Sequence, residues 1–155
     1  MKISSDELTS FLNAANKAGY ANADAPKATS LRPASEDYHF EQGEFVYHDT
    51  YFGARDFIGE EIVYQANEPV WGANYYGYIL DPNMPAKPLY DFLRFALMQE
   101  AAGILPIRGP REFSEDGSYY TNKVAGTLDR FSGEERILID NKLVYRCWYH
   151  GGAIT

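Results

Sequence analysis

The chain has a single cysteine, Cys147, which excludes an intrachain disulfide, and no grouping of Cys and His has the spacing of a structural zinc site. It has no run of basic residues. Its 14 Lys+Arg are scattered among 22 Asp+Glu, for a net charge of −8. The positive patch that grips phosphate backbones is missing, so no direct nucleic-acid partner is expected. No stretch approaches the ~18 apolar residues that span a bilayer, and the residues after Met1 lack the apolar core of a secretory leader. No membrane partner is expected, and a cytoplasmic location is the default. There is no phosphate-binding glycine loop, nucleophile elbow or nicotinamide fingerprint, so neither a cofactor nor a metal is expected. What the chain has in quantity is aromatic side chains, 15% of residues, with 13 Tyr among them. Such rings serve equally as core filling and as pocket wall.

A length of 155 residues suits one domain with a core of its own. Ser4-Ser5-Asp6-Glu7 has the form of a capping box, and Leu8, Phe11, Leu12 and Ala15 follow at helical spacing up to Gly19. The polar stretch from Tyr20 to Glu36 lacks periodicity and reads as a loop, either a connector or a lid over a ligand. From Tyr38 the period becomes two. Strands are expected around Phe45 to Phe52, Glu60 to Ala66 and Val70 to Leu80, joined by short turns into a meander. Pro88 is placed to open a second helix with Leu89, Phe92, Leu93, Ala96 and Leu97 on one face, ending at Gly103. After an irregular connection from Ile104 to Glu115, strands resume near Tyr119 to Asp129, Glu135 to Asp140 and Lys142 to His150.

Helix and three strands thus occur twice, and the strands match. At an offset of 74, Phe57, Gly59, Glu60, Glu61, Asn67, Val70, Tyr75 and Gly77 meet Phe131, Gly133, Glu134, Glu135, Asn141, Val144, Tyr149 and Gly151. Those eight identities compare with about one or two expected by chance over such a stretch. The expected fold is α+β: a duplicated αβββ-αβββ unit, with pseudo-repeats at about 4–80 and 86–152, forming one six-stranded antiparallel sheet with two helices. A groove is expected where the halves meet.

Phe-x-Gly-Glu-Glu, at Phe57 to Glu61 and Phe131 to Glu135, is the repeated motif with ionisable groups. Each copy marks a strand entry with Glu facing water, or else turns one Glu inward, where two carboxylates could converge and burial would raise a pKa. The aromatic set Tyr47, Tyr51, Trp71, Tyr75, Tyr145 and Tyr149 is core, or it is the wall of a pocket that takes a cationic or planar ligand beside Glu61 and Glu135. Isolated strand histidines such as His48 read as structural. Cys147 and His150 project to opposite faces of a regular strand, which argues against a thiol nucleophile. Mismatches across the offset, Tyr76 with His150, Gly72 with Arg146 and Asn74 with Trp148, mark one strand face as a second place to look for a ligand.

Asp49-Thr50-Tyr51-Phe52-Gly53, then Phe57-x-Gly-Glu-Glu, then Val70-Trp71-Gly72-Ala73-Asn74-Tyr75-Tyr76-Gly77 resembles DUF5680, an uncharacterised bacterial domain family also found behind helix-turn-helix regulator domains. The resemblance implies a sensor-like, small-molecule-binding role and supplies no catalytic residues. No helix-turn-helix is expected before Ser4, and with it no direct DNA binding is expected. Three functional expectations stand side by side: a small-molecule-binding or sensor domain, an enzyme using a Glu as general acid or base, and an interaction module that forms a homodimer through an uncovered sheet face.

Overall fold

The computed structural model describes residues 4–155. Helix α1, Ser5–Ala18, starts as its capping box requires. The Glu7 N–H donates to the Ser4 hydroxyl, and the Ser4 N–H donates to the Glu7 carboxylate. Its stripe of Leu8, Phe11, Leu12 and Ala15 is buried. Helix α2, Ala86–Leu97, buries Leu89, Leu93 and Ala96. It stops short of Gly103, because the next position of its apolar stripe falls on Glu100 and another turn would bury a charge.

Among the described residues the strands number eight: β1 Glu36–Gln42, β2 Phe45–Gly53, β3 Phe57–Gln65, β4 Glu68–Ile79, β5 Glu112–Glu115, β6 Ser118–Thr127, β7 Arg130–Ile139 and β8 Lys142–Ala153. They form one antiparallel sheet in the order β1-β2-β3-β4-β8-β7-β6-β5. The expected α+β fold with six strands and two αβββ units is therefore wrong. The architecture is mostly β, 49% strand, and four strands follow each helix. The missed strands are the two sheet edges. β5 is four residues long with no fully buried side chain, and it lies within the connection expected to be irregular. β1 is set off from β2 by a tight turn at Gly43, φ 63°. An edge strand that faces water carries little of the apolar alternation by which strands are recognised. The hairpin turns are clearer: Ala66-Asn67 and Asp140-Asn141 each hold two consecutive residues at positive φ, the two-residue turn that suits strand twist.

Both helices lie on one face of the sheet. Tyr47, Val63, Trp71, Tyr75, Ile137, Tyr145 and Tyr149 point toward them and are buried in the same cluster as Leu12 and Leu93. The opposite face leaves Ile58, Tyr76 and Trp148 exposed. The halves of the sheet join where β4 pairs with β8, Tyr75 opposite Tyr149. Aromatic stacking fills this junction. Trp71 lies on Phe131 at 5.6 Å and donates its indole N–H to the Leu128 carbonyl at 3.0 Å, while Phe57 lies on Tyr145 at 6.4 Å. Rings of ~150–250 Å² removed from water contribute several kcal/mol each before entropic costs, at about 25 cal/mol/Å². No open groove remains between Trp71 and Phe131.

Candidate functional site

Two similar constructions sit on the helix-covered face, one in each half of the sheet. In the first, the Tyr75 ring lies across β3 at Gly59, where a Cβ would come within 2.4 Å of the ring and its hydroxyl. That gap lets Tyr75 reach β2 and donate to Asp49 Oδ1 at 2.6 Å. In the second, Tyr149 crosses β7 at Gly133, where a Cβ would lie 2.2 Å from the ring, and donates to Asn122 on β6 at 2.5 Å. Beside each pair stands the second Glu of the repeated motif: Glu61 opposite Asp49, and Glu135 opposite Asn122.

The two glutamates differ in their partners. Glu135 is fully buried and fully engaged. It accepts from Arg108 at 2.9 Å, from the Tyr120 hydroxyl at 2.7 Å and from the Tyr145 hydroxyl at 3.4 Å. The connection after α2 closes over it: the Gly109 N–H donates to the Tyr120 hydroxyl, and the Asn122 amide donates to the Gly109 carbonyl. Glu61 is just as deep, 4% exposed. Its Oε1 has a distant share of Arg108, 3.9 Å away, the Tyr47 hydroxyl is near enough to favour its ionised form, and its Oε2 has no hydrogen-bond partner among the described residues. A buried carboxyl oxygen without a protein partner is costly unless a proton, a water or a ligand satisfies it.

Glu61 opens on a cavity of about 270 Å³. The sheet side is made by Tyr47, Asp49, Tyr51, Phe57, Glu61 and Tyr75, the helix side by Asn16 of α1 and Tyr90, Arg94 and Leu97 of α2. Tyr20 and Ala21, just after α1, and Ile107 and Arg108, after α2, complete it. The polypeptide after α1 is thus part of the wall, and the Arg94 guanidinium sits over the Tyr20 ring at 3.9 Å.

Burial dominates the electrostatics. It pushes the Glu61 carboxyl up to about 8, with the negative charge of Asp49 adding to the effect and Arg108 opposing it. Burial also pushes Asp49 up to about 6, against the hydrogen bond from Tyr75 and the charge of Arg108. The Arg108 charge is opposed by burial, but Glu135 outweighs that and holds the guanidinium firmly protonated. Tyr47 and Tyr75 are held well above the ordinary phenol value by burial and by the neighbouring carboxylates. Near neutral pH the site therefore offers neutral phenols, two guanidiniums already engaged, Arg108 by Glu135 and Arg94 by Tyr20, and a carboxyl pair that shares protons.

Of the residues picked out in the sequence, Tyr47, Tyr51, Tyr75 and Glu61 line the cavity. Trp71, Tyr145, Tyr149 and Glu135 lie behind it in the core. The first Glu of each motif turns to the open face, Glu60 to Arg32 at 2.7 Å and Glu134 to Arg136 and Arg146. His48 bonds Asp37 at 2.8 Å, and burial lifts the Cys147 thiol to about 12. Tyr76, Trp148, Asn74 and His150 are exposed on the face away from the cavity. Sequence reasoning missed Asp49, Tyr20, Tyr90, Arg94 and Arg108. Strand alternation places Asp49 inward between Tyr47 and Tyr51, and Arg108 is the one charged residue in the Pro-rich stretch from Ile104 to Pro110. Those were the available signals.

A family model described as a domain of unknown function (DUF5680) matches residues 49–154. The chain belongs to this family. The DUF5680 match begins at Asp49, so it takes in the Asp49–Glu61 pair and Arg108 but not α1, Tyr20 or Tyr47. No curated protein and no solved structure matches the chain. Among the described residues no helix is long and apolar enough to cross a membrane, and no three His, Cys, Asp or Glu side chains group as metal ligands.

Proposed function

We propose that this DUF5680 protein binds a small molecule in the cavity over β2–β4, in a sensing role. The observation that carries this is the difference between the two glutamates. Glu135 is sealed by Arg108, Tyr120 and Tyr145, whereas Glu61 is left with a partnerless oxygen at the edge of an aromatic cavity. A wall of rings with a few convergent polar groups is what small-ligand sites are made of. A thermal-shift screen of planar and cationic compounds tests it. A ligand at about a hundred times its Kd adds roughly 2.7 kcal/mol, or about 5–10 °C for a chain of this size. The hit must lose its effect in Glu61→Gln or Tyr90→Ala. If no compound stabilises the protein, the proposal fails.

The raised carboxyl of Glu61 also supports a second reading, an enzyme in which Glu61 is a general acid or base. Turnover of a screening hit with a pH profile that breaks near 8 would favour it, and a hit recovered unchanged would count against it. The exposed Tyr76 and Trp148 support homodimer formation through the open sheet face. A monomer by light scattering at high concentration would dismiss that.

A further inference from the structure

We propose that the cavity's ligand is an organic cation, seated between Asp49 and Glu61 against the surrounding rings, and that its entry displaces the proton the carboxyl pair holds when the cavity is empty. This rests on the small-molecule reading above and specifies its chemistry.

Asp49 and Glu61 are direct partners across β2 and β3 and project to the same face. With Glu135 behind them, three carboxyl groups surround one guanidinium. Arg108 is closer to Glu135, at 2.9 Å, than to Glu61, at 3.9 Å. Fully ionised, the cluster would carry two uncompensated negative charges in a buried place, which a fold does not sustain without a counter-ion or a proton. The empty cavity has room for either. Glu61 Oε2 lacks any partner among the described residues, and four aromatic side chains, Tyr47, Tyr51, Phe57 and Tyr90, line the adjoining surface, the kind of side chain to which cations are drawn.

The remaining charged and titratable groups around Glu61 fit this assignment. Arg94 of α2 lines the same cavity, but its guanidinium is committed to the ring and carbonyl of Tyr20. Glu36 of β1 is paired with Lys27 at 2.7 Å in an exposed position. On β4, the Tyr75 hydroxyl donates a hydrogen bond to Asp49. On β8, the Tyr145 hydroxyl is turned to Glu135, and Cys147 is buried beside it. His48 and Asp37 bond each other on the other side of the sheet. None of these supplies a free positive charge to the Asp49–Glu61 pair.

Proton and cation compete for one place, so a permanent cation should bind about tenfold more tightly for each pH unit gained between 6.5 and 7.5. The probes are choline, benzyltrimethylammonium, 3,3-dimethyl-1-butanol as the neutral isostere of choline, and benzoate. Titration calorimetry in buffers of different ionisation enthalpy reads affinity and proton release together. The expected result is binding of a quaternary ammonium with close to one proton released at pH 7 and a weaker or absent response to the butanol. Glu61→Gln should lose the pH slope and weaken the cation at least tenfold at pH 8. Asp49→Asn is a second variant should the first not fold, and Glu60→Gln on the opposite face should change nothing. Equal binding of cation and neutral isostere, pH-independent binding, or preference for benzoate would each overturn the proposal while leaving a small-molecule site in place. Failure of all four probes also overturns it. The wider screen above then decides whether the site reading survives.

Discussion

Replacing Glu61 with Gln keeps the shape of the side chain and removes its charge, so the effect of the substitution should depend strongly on pH. In the unfolded chain this carboxyl titrates near 4.5, and in the folded protein it is lifted to about 8. The folded state thus holds the proton more tightly. The resulting stabilisation is fully present below pH 4.5 and is lost as pH rises through 8. At about 1.4 kcal/mol per tenfold in proton affinity, the full gap corresponds to roughly 5 kcal/mol. Asp49 draws on the same protons, so on the order of 3 kcal/mol is the amount to expect from Glu61 alone. Urea unfolding at intervals from pH 5 to 9 measures it. Glu61→Gln should gain on the natural protein by about 3 kcal/mol across that range, with an unchanged denaturant slope. The rise of Asp49 from 3.8 to about 6 acts mostly at the acid end of this window. The lowered carboxyl of Asp37, whose burial is outweighed by bonds from Ser35, His48 and Thr50, acts below it. A difference between the two proteins that stays constant from pH 5 to 9 would refute the reasoning.

Other perturbations address the sealed half of the site. Arg108→Met leaves Glu135 buried without its counter-charge and should cost about 3–5 kcal/mol by chemical denaturation; a loss below 1 would show that the ion pair is dispensable. Gly133→Ala would place a methyl 2.2 Å from the Tyr149 ring and break its bond to Asn122, for an expected loss of about 1–3 kcal/mol in thermal melts. An unchanged melting temperature would contradict the close approach. Cys147 is fully buried and its thiol is lifted to about 12, so Ellman's reagent at pH 8 should label it only when denaturant is added. Rapid labelling of the native protein would contradict its burial.

The parts of the fold that were legible in the sequence are those where local chemistry and burial agree. The Ser4–Glu7 capping box, the α2 stripe and the Asp140-Asn141 turn announce themselves because each is satisfied within a few residues. β1 and β5 do not, since a strand at a sheet edge is defined by a neighbour distant from its own pattern, and its outward side chains are polar. Alternation brought Tyr47, Tyr51, Tyr75 and Glu61 forward as candidate wall residues, yet alternation cannot tell cavity from core. Trp71 and Tyr149 share their face and differ only in what lies above them. Arg108 was harder still, because it acts from an irregular connection whose path depends on how the two halves of the sheet meet.

The pairing of β4 with β8 has a consequence for how the molecule forms. Every other neighbouring pair in the sheet is a hairpin between consecutive strands, which closes fast and locally. The β4–β8 pairing joins residues 71–79 to residues 145–153, so the central seam is the slow, long-range event. On a ribosome, at about 5–20 residues per second, β4 would wait roughly 4–15 s with its hydrogen-bonding edge and the Trp71 face uncovered. That interval, not the finished sheet, is when this protein is most exposed to pairing with the wrong strand.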